Sequence, residues 1–195
     1  MILCINSSPR RQATEYVSSK AREILESKGY ETDILNLRGK RINFCIHCDY
    51  CLKEKKCTFD DGMSEIYPAL EDAGGIILAT PVYNSGISAQ LKAMMDRTRA
   101  LMAKNPDSLK GKIGMGIAIG GDRMGGQEIA LMQIHAFFIL NGMIPVSGGS
   151  FGANLGATFW SKDTREGVTE DVEGLKTLEK TISRFTHFLD RYERK

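Results

Sequence analysis

The sequence predicts an α/β fold: a doubly wound, five-stranded parallel sheet with helices on both faces. Three observations predict it. Short apolar runs alternate with stretches of helical periodicity five times along the 195 residues. The central runs, "GGIILATP" and "KIGMGIAIGG", are apolar throughout, as strands covered on both faces are. No repeat, low-complexity tract or composition break interrupts the pattern, so residues 1–195 read as one domain, long enough for a full hydrophobic core.

The elements follow in order. "MILCI" is a short apolar strand that ends in "NSSP", which is turn and helix-cap chemistry. From Ala13 to Lys28 the pattern is helical, with Val17, Ala21, Ile24 and Leu25 on one face, and Gly29 is the stop. "YETDILNL" reads as the second strand, Met63 to Ala73 as a helix, and "GGIILATP" as a strand ending at Pro81. Ala89 to Met102 is predicted as one helix, "KIGMGIAIGG" as the fourth strand, and "QEIALMQIHAFFILNG" as a helix closed by Gly142. "MIPVSGG" is the fifth strand, and residues 151–168 are expected to be a long glycine-rich loop. Residues 171–192 end the chain as an amphipathic helix, with Leu175, Leu178, Ile182, Phe185 and Leu189 on one face.

Composition narrows the function classes. Apolar residues are 42%, charged residues 26%, and the net charge is +2, so neither nucleic acid nor an anionic membrane is indicated as a general partner. The apolar run at the N-terminus covers only Met1 to Ile5, with the basic residues after it, which is not the pattern of a signal peptide. No apolar run approaches the roughly 20 residues of a membrane span. The expectation is a cytoplasmic protein, where clustered cysteines serve as metal ligands or redox groups more readily than as disulfides.

In a doubly wound sheet, ligands bind at the carboxyl ends of the strands. Three segments there carry chemistry. "NSSPRRQAT" offers the hydroxyls of Ser7, Ser8 and Thr14, the charges of Arg10 and Arg11, and a helix N-terminus, a combination suited to a phosphate or to an ordinary N-cap. "TPVYNSGISAQLKAMMDR" places Tyr83, Asn84 and Ser85 at the sheet edge, with Gly86 permitting a tight turn, where a flat heteroaromatic ring could rest. "GGDRMGGQE" brings four glycines that let the backbone approach a ligand closely. There is no G-x-x-x-x-G-K-[ST], and the glycines of "GMGIAIGG" are wrongly spaced for G-x-G-x-x-G. Acidic residues are also missing from the first and third strand ends, which excludes a response-regulator receiver.

Four of the five cysteines fall in "FCIHCDYCLKEKKCTF", residues 44–59, with the pattern C-x2-C-x2-C-x5-C formed by Cys45, Cys48, Cys51 and Cys57. A cubane iron–sulfur cluster suits this spacing, because two residues between thiolates let one loop wrap successive corners. Structural zinc also takes four thiolates but usually draws them from two separated knuckles. The fifth cysteine, Cys4, lies in the first strand, where a buried free thiol is commonplace.

Together the three loops resemble those of the flavodoxin-like NAD(P)H-dependent FMN reductase superfamily, from Met1 to about Gly149. The resemblance implies that Ser7, Ser8, Arg10, Gln12, Ala13 and Thr14 form the FMN phosphate loop. That loop often has Gly or Asn before its Thr in the family, where this chain has Ala13. It implies that Pro81, Val82, Tyr83, Asn84, Ser85 and Gly86 contact the isoalloxazine ring, and that Gly121, Asp122 and Gly125 hold its far side. The cysteine segment, residues 43–59, resembles the compact motif of the iron-sulfur flavoproteins, which implies a 4Fe–4S cluster ligated by Cys45, Cys48, Cys51 and Cys57 beside FMN. His47 sits among those thiols, which already complete the site, and His135 lies in an apolar helix, packed or hydrogen-bonded.

The function expected from that resemblance is an electron-transfer oxidoreductase in which a one-electron cluster feeds FMN, which takes one electron or two. Ferredoxin is the expected donor, steered by "KEKK", residues 53–56. A homo-oligomer, dimer or tetramer, is expected, with the cluster of one subunit serving the flavin of a neighbour. The segment 151–168, with Phe159 and Trp160, would cover that flavin or make the interface. The rival readings are a zinc-stabilised NAD(P)H-dependent FMN or quinone reductase and a redox-sensing flavodoxin-like module.

Overall fold

The computed structural model describes residues 1–193. Its sheet is built from β1 (Ile2–Asn6), β2 (Thr32–Asn36), β3 (Gly75–Pro81), β4 (Ile113–Gly120), β5 (Ile144–Val146) and β6 (Ala157–Trp160), all paired in parallel. The order is β2-β1-β3-β4-β5. β5 pairs with Ile113–Met115 of β4 and β6 with Ile117–Gly120, while β3 occupies the opposite edge of β4. The fifth position of the sheet is therefore one strand in two pieces, interrupted by residues 147–156. This corrects the expectation that 151–168 is a loop throughout, because the segment holds β6 and the helix α7 (Arg165–Glu170). Four residues, "ATFW", are too few for a period to show, and the flanking glycines mask them.

The remaining helices are α1 (Ala13–Ser27), α2 (Tyr50–Glu54), α3 (Met63–Asp72), α4 (Ala89–Arg97), α5 (Arg99–Lys104), α6 (Gln127–Leu140) and α8 (Val172–Glu193). The single helix expected from Ala89 to Met102 divides at Thr98. There the hydroxyl donates back to the carbonyl of Met95 at 2.7 Å, and the amide is shared between Met94 and Met95. Such back-bonding competes with the regular ladder and bends the helix.

Each strand sends alternate residues to two cores. Leu3, Ile5, Ile76 and Leu78 pack with α3, α4 and α6, while Ile2, Cys4, Ile77 and Ala79 pack with α1, α7 and α8. Cys4 is fully buried, and burial pushes its thiol up to about 12, so it stays protonated and unreactive. On the α6 side, β4 presents Gly114 and Gly116. A Cβ on either would come within 2.8 Å or 2.7 Å of Phe138 and Leu131, so the glycines set how closely α6 approaches the sheet. The strand order reverses between β1 and β3, so the loops after these two strands flank the crevice where such sheets bind ligands. Among the described residues, no helix is long and apolar enough to cross a membrane.

Candidate functional site

The loops after β1, β3 and β4 meet at the carboxyl edge of the sheet. Ser7 joins the first two, since its hydroxyl donates to the carbonyl of Ala79 at 3.0 Å and accepts from the hydroxyl of Ser88 at 3.0 Å. Ser88, which caps α4 through the amide of Leu91, was not singled out in the sequence. Ser8 is buried, and its oxygen accepts the amide of Arg10 at 3.1 Å. Arg10, Arg11 and Gln12 are exposed, and Ala13 and Thr14 are buried at the start of α1. No side chain caps α1, so its first-turn N–H groups stay available to an anion beside Arg10 and Arg11.

After Pro81 and Val82, the chain makes a tight turn in which Tyr83 and Gly86 exchange backbone hydrogen bonds of 3.0 and 2.9 Å. Asn84 and Ser85 sit at its tip with φ of 48° and 60°, a left-handed conformation that costs free energy in non-glycine residues. Tyr83 is 40% exposed beside it. Gln133 of α6 supports the turn by accepting the amide of Ile87 at 3.0 Å. The glycine-rich loop closes on the same turn, where a Cβ on Gly126 would lie 2.6 Å from Cα of Ser85. Buried Gln127 accepts the amide of Gly125 and donates to the carbonyls of Asp122 and Phe159. Gly121 lies against Asp163, whose carboxylate a Cβ there would meet at 2.7 Å. The phosphate-loop, ring-loop and glycine-loop candidates thus converge. His135 turns away from them, with its Nε2 against the carbonyl of Leu155.

Cys45, Cys48, Cys51 and Cys57 line one cavity, walled on the other side by Asp96, Arg97, Arg99 and Ala100. Cys51 is buried, Cys45 and Cys57 are partly buried and Cys48 is exposed. The loop that carries them holds three left-handed non-glycine residues, His47, Asp49 and Lys55, on either side of the short helix α2. A buried ionic knot closes it. Arg97 donates to the Asp61 carboxylate at 2.8 and 3.1 Å and to the carbonyl of Asn43 at 2.8 Å. Asp61 in turn accepts the backbone and side-chain amides of Asn43 and the amide of Met63. Asn43 precedes the first cysteine and Asp61 follows the last, so one guanidinium ties both ends of the loop to α4. Burial alone would raise the Asp61 carboxyl, but Arg97 and the three amide donors outweigh it and hold it at about 2. A second pair, Arg99 with Asp49 at 2.7 Å, fixes the middle of the loop, and the guanidinium holds the Asp49 carboxyl below its ordinary value.

The Tyr83–Gly86 turn, the candidate flavin turn, therefore lies before the N-terminus of α4, and the cysteine cavity lies at its C-terminus. Nine residues of helix separate them, about 13 Å. An apolar groove of ≈ 940 Å³ between α4, α5 and α6 runs beside both sites, sharing Ile87 with the flavin turn and Asp96 and Arg99 with the cysteine cavity.

Residues 1–158 match the model of the NADPH-dependent FMN reductase family. An iron-sulfur flavoprotein of Archaeoglobus fulgidus is 60% identical over 99% of this chain and 99% of its own length. An iron-sulfur flavoprotein of Methanocaldococcus jannaschii is 56% identical over 95% of this chain and 94% of its own. The chain belongs to the iron-sulfur flavoproteins, within the NADPH-dependent FMN reductase family. The fold agrees, since a flavodoxin, WrbA-like protein from Agrobacterium tumefaciens superimposes with a TM-score of 0.68 over 98% of both chains at 17% identity.

An iron-sulfur flavoprotein is an FMN-dependent oxidoreductase with FMN and an iron–sulfur cluster as cofactors, and this chain has donors for both. The four cysteines line one shared cavity, a donor set that fits an iron–sulfur cluster. Sequence reasoning found the cysteines but not Arg97, Arg99, Asp61 or Asp49. Arg97 ends the ring-loop stretch, and nothing local distinguishes it from a surface arginine.

Proposed function

We propose that this iron-sulfur flavoprotein takes single electrons from ferredoxin on a 4Fe–4S cluster held by Cys45, Cys48, Cys51 and Cys57, and hands them to FMN for a two-electron acceptor. The observation that carries the reading is the shared cavity of the four thiols at the far end of the helix that begins at the flavin turn. FMN supplies the exchange between one- and two-electron chemistry when bound. The chain's residues supply placement. The α1 N-terminus with Arg10 and Arg11 holds the phosphate, Tyr83 to Gly86 and the loop Gly121 to Gly125 frame the ring, and the knot at Arg97 holds the cysteine loop closed. Around the cysteines, Phe44, Ile46 and Leu52 are exposed beside Lys53, Lys55 and Lys56. Apolar contact ringed by positive charge suits an acidic one-electron carrier.

Because the two cofactor sites of one chain are separated by the length of α4, we place the flavin that receives the electrons in a neighbouring subunit of a homo-oligomer. The groove between α4, α5 and α6, which touches both sites, is the surface for that contact.

Anaerobic purification followed by a visible spectrum and analysis of iron, sulfide, zinc and flavin tests the cofactor content. About four irons and four sulfides with one FMN per chain are expected, and zinc without sulfide would overturn the cluster. Stopped-flow reduction by ferredoxin at rising ionic strength tests the donor. The rate is expected to fall as salt screens the lysines. A salt-independent rate, or NADPH reducing the flavin while ferredoxin does not, would remove ferredoxin from the reading.

A further inference from the structure

Arg97 has a role beyond tying the loop. Its side chain is 1% exposed and forms part of the wall of the cysteine cavity. Both terminal nitrogens donate, Nη1 to Asn43 and Asp61 and Nη2 to Asp61. The Cζ atom stands 5.0 Å from the centre of the Phe59 ring, which also lines the cavity. Nε is buried and has no hydrogen-bond partner among the described residues. A buried guanidinium N–H without an acceptor is costly, and such groups are rare in folded chains.

We propose that Arg97 donates its Nε–H to the sulfur of the bound cluster and raises the reduction potential of that cluster. The inference rests on the cluster reading above. An electron entering the cluster adds one negative charge beside a guanidinium that is itself buried. A fixed positive charge and a donated hydrogen bond there favour the reduced form. Asp61 moderates the effect, because its carboxylate neutralises much of the guanidinium charge from the opposite side. The two residues therefore act in opposite directions on the potential while both secure the same loop. That opposition separates an electronic role from a structural one.

The test is a redox titration of the purified holoprotein, followed by electron paramagnetic resonance, for the wild type, Arg97→Lys and Asp61→Asn. Iron, sulfide and FMN are measured on the same samples. The wild-type iron and sulfide content establishes the cluster first, so a failure of that reading is seen before any variant is compared. Lysine keeps the charge and lacks Nε, so the Arg97→Lys cluster is expected to titrate at a more negative potential. Asparagine removes the counter-charge, so the Asp61→Asn cluster is expected to titrate at a more positive one. The FMN potential, set at the other end of α4, is expected to stay at its wild-type value. Unchanged cluster potentials in both variants, or shifts of the same sign, would overturn the proposal and leave Arg97 as a structural tie alone.

Discussion

At the residue scale, the left-handed non-glycine residues mark where the chain is held against its own preference. His47, Asp49 and Lys55 lie in the cysteine loop, Asn84 and Ser85 at the flavin turn, and Lys162 and Asp163 beside the glycine-rich loop. Each costs on the order of 1 kcal/mol, so each needs a neighbour to hold it. For the cysteine loop that neighbour is the Asp61–Arg97 knot, and its pH dependence follows from the carboxyl held at about 2 against an ordinary 3.8. A depressed carboxyl contributes stability that is complete above about pH 4 and is lost as pH falls through 2. Urea denaturation of the apoprotein is expected to place Asp61→Asn about 3 kcal/mol below the wild type at pH 6, because the variant leaves a buried guanidinium unpaired. The gap is expected to narrow towards pH 2, and a constant gap would assign the loss to something other than the ion pair. The cysteines were legible because their spacing is local. Arg97 was not, since its partner Asp61 lies on a different element, and only folding brings them together.

At the scale of elements, legibility followed length. Seven- and eight-residue strands such as β3 and β4 declare themselves by unbroken burial. β5, three residues within the expected fifth strand, was legible, but the four-residue β6 was not, and the union of the two into one sheet position depends on pairing with β4. The four glycines after β4 announced close approach without saying of what. In the structure, a Cβ on Gly126 would strike the backbone of the neighbouring turn, 2.6 Å from Cα of Ser85, and its φ of 93° disfavours a side chain as well. Gly126→Ala is therefore expected to push the glycine loop away from the flavin turn. With strain of about 1–3 kcal/mol, FMN affinity is expected to fall roughly tenfold or more, read by quenching of flavin fluorescence. The cluster content, which depends on the other end of α4, is expected to be unchanged.

At the scale of the whole molecule, the proposed transfer of electrons from cluster to flavin must cross the length of α4, which divides the two candidate sites. The α6 surface bears on this. Ile129, Met132, Ile139 and Leu140 of that helix are more than half exposed, and Leu140 also lines the groove beside α4 and α5. Apolar groups this exposed along one helix suit the proposed contact with a second copy. A twofold contact there would set the α6 side chains of one copy against the groove of the other. It would also bring the second copy to Ile87 at the flavin turn and to Arg99 at the cysteine cavity. Leu140→Glu combined with Met132→Glu is expected to yield a smaller species by analytical ultracentrifugation, with iron, sulfide and FMN still bound, since neither side chain lies in a cofactor cavity. In that species, rapid reduction of the cluster should no longer be followed by rapid reduction of the flavin, and stopped-flow spectra resolve the two chromophores. A dissociated chain that still passes electrons at the wild-type rate would place donor and acceptor in the same subunit and leave the groove without a part in the transfer.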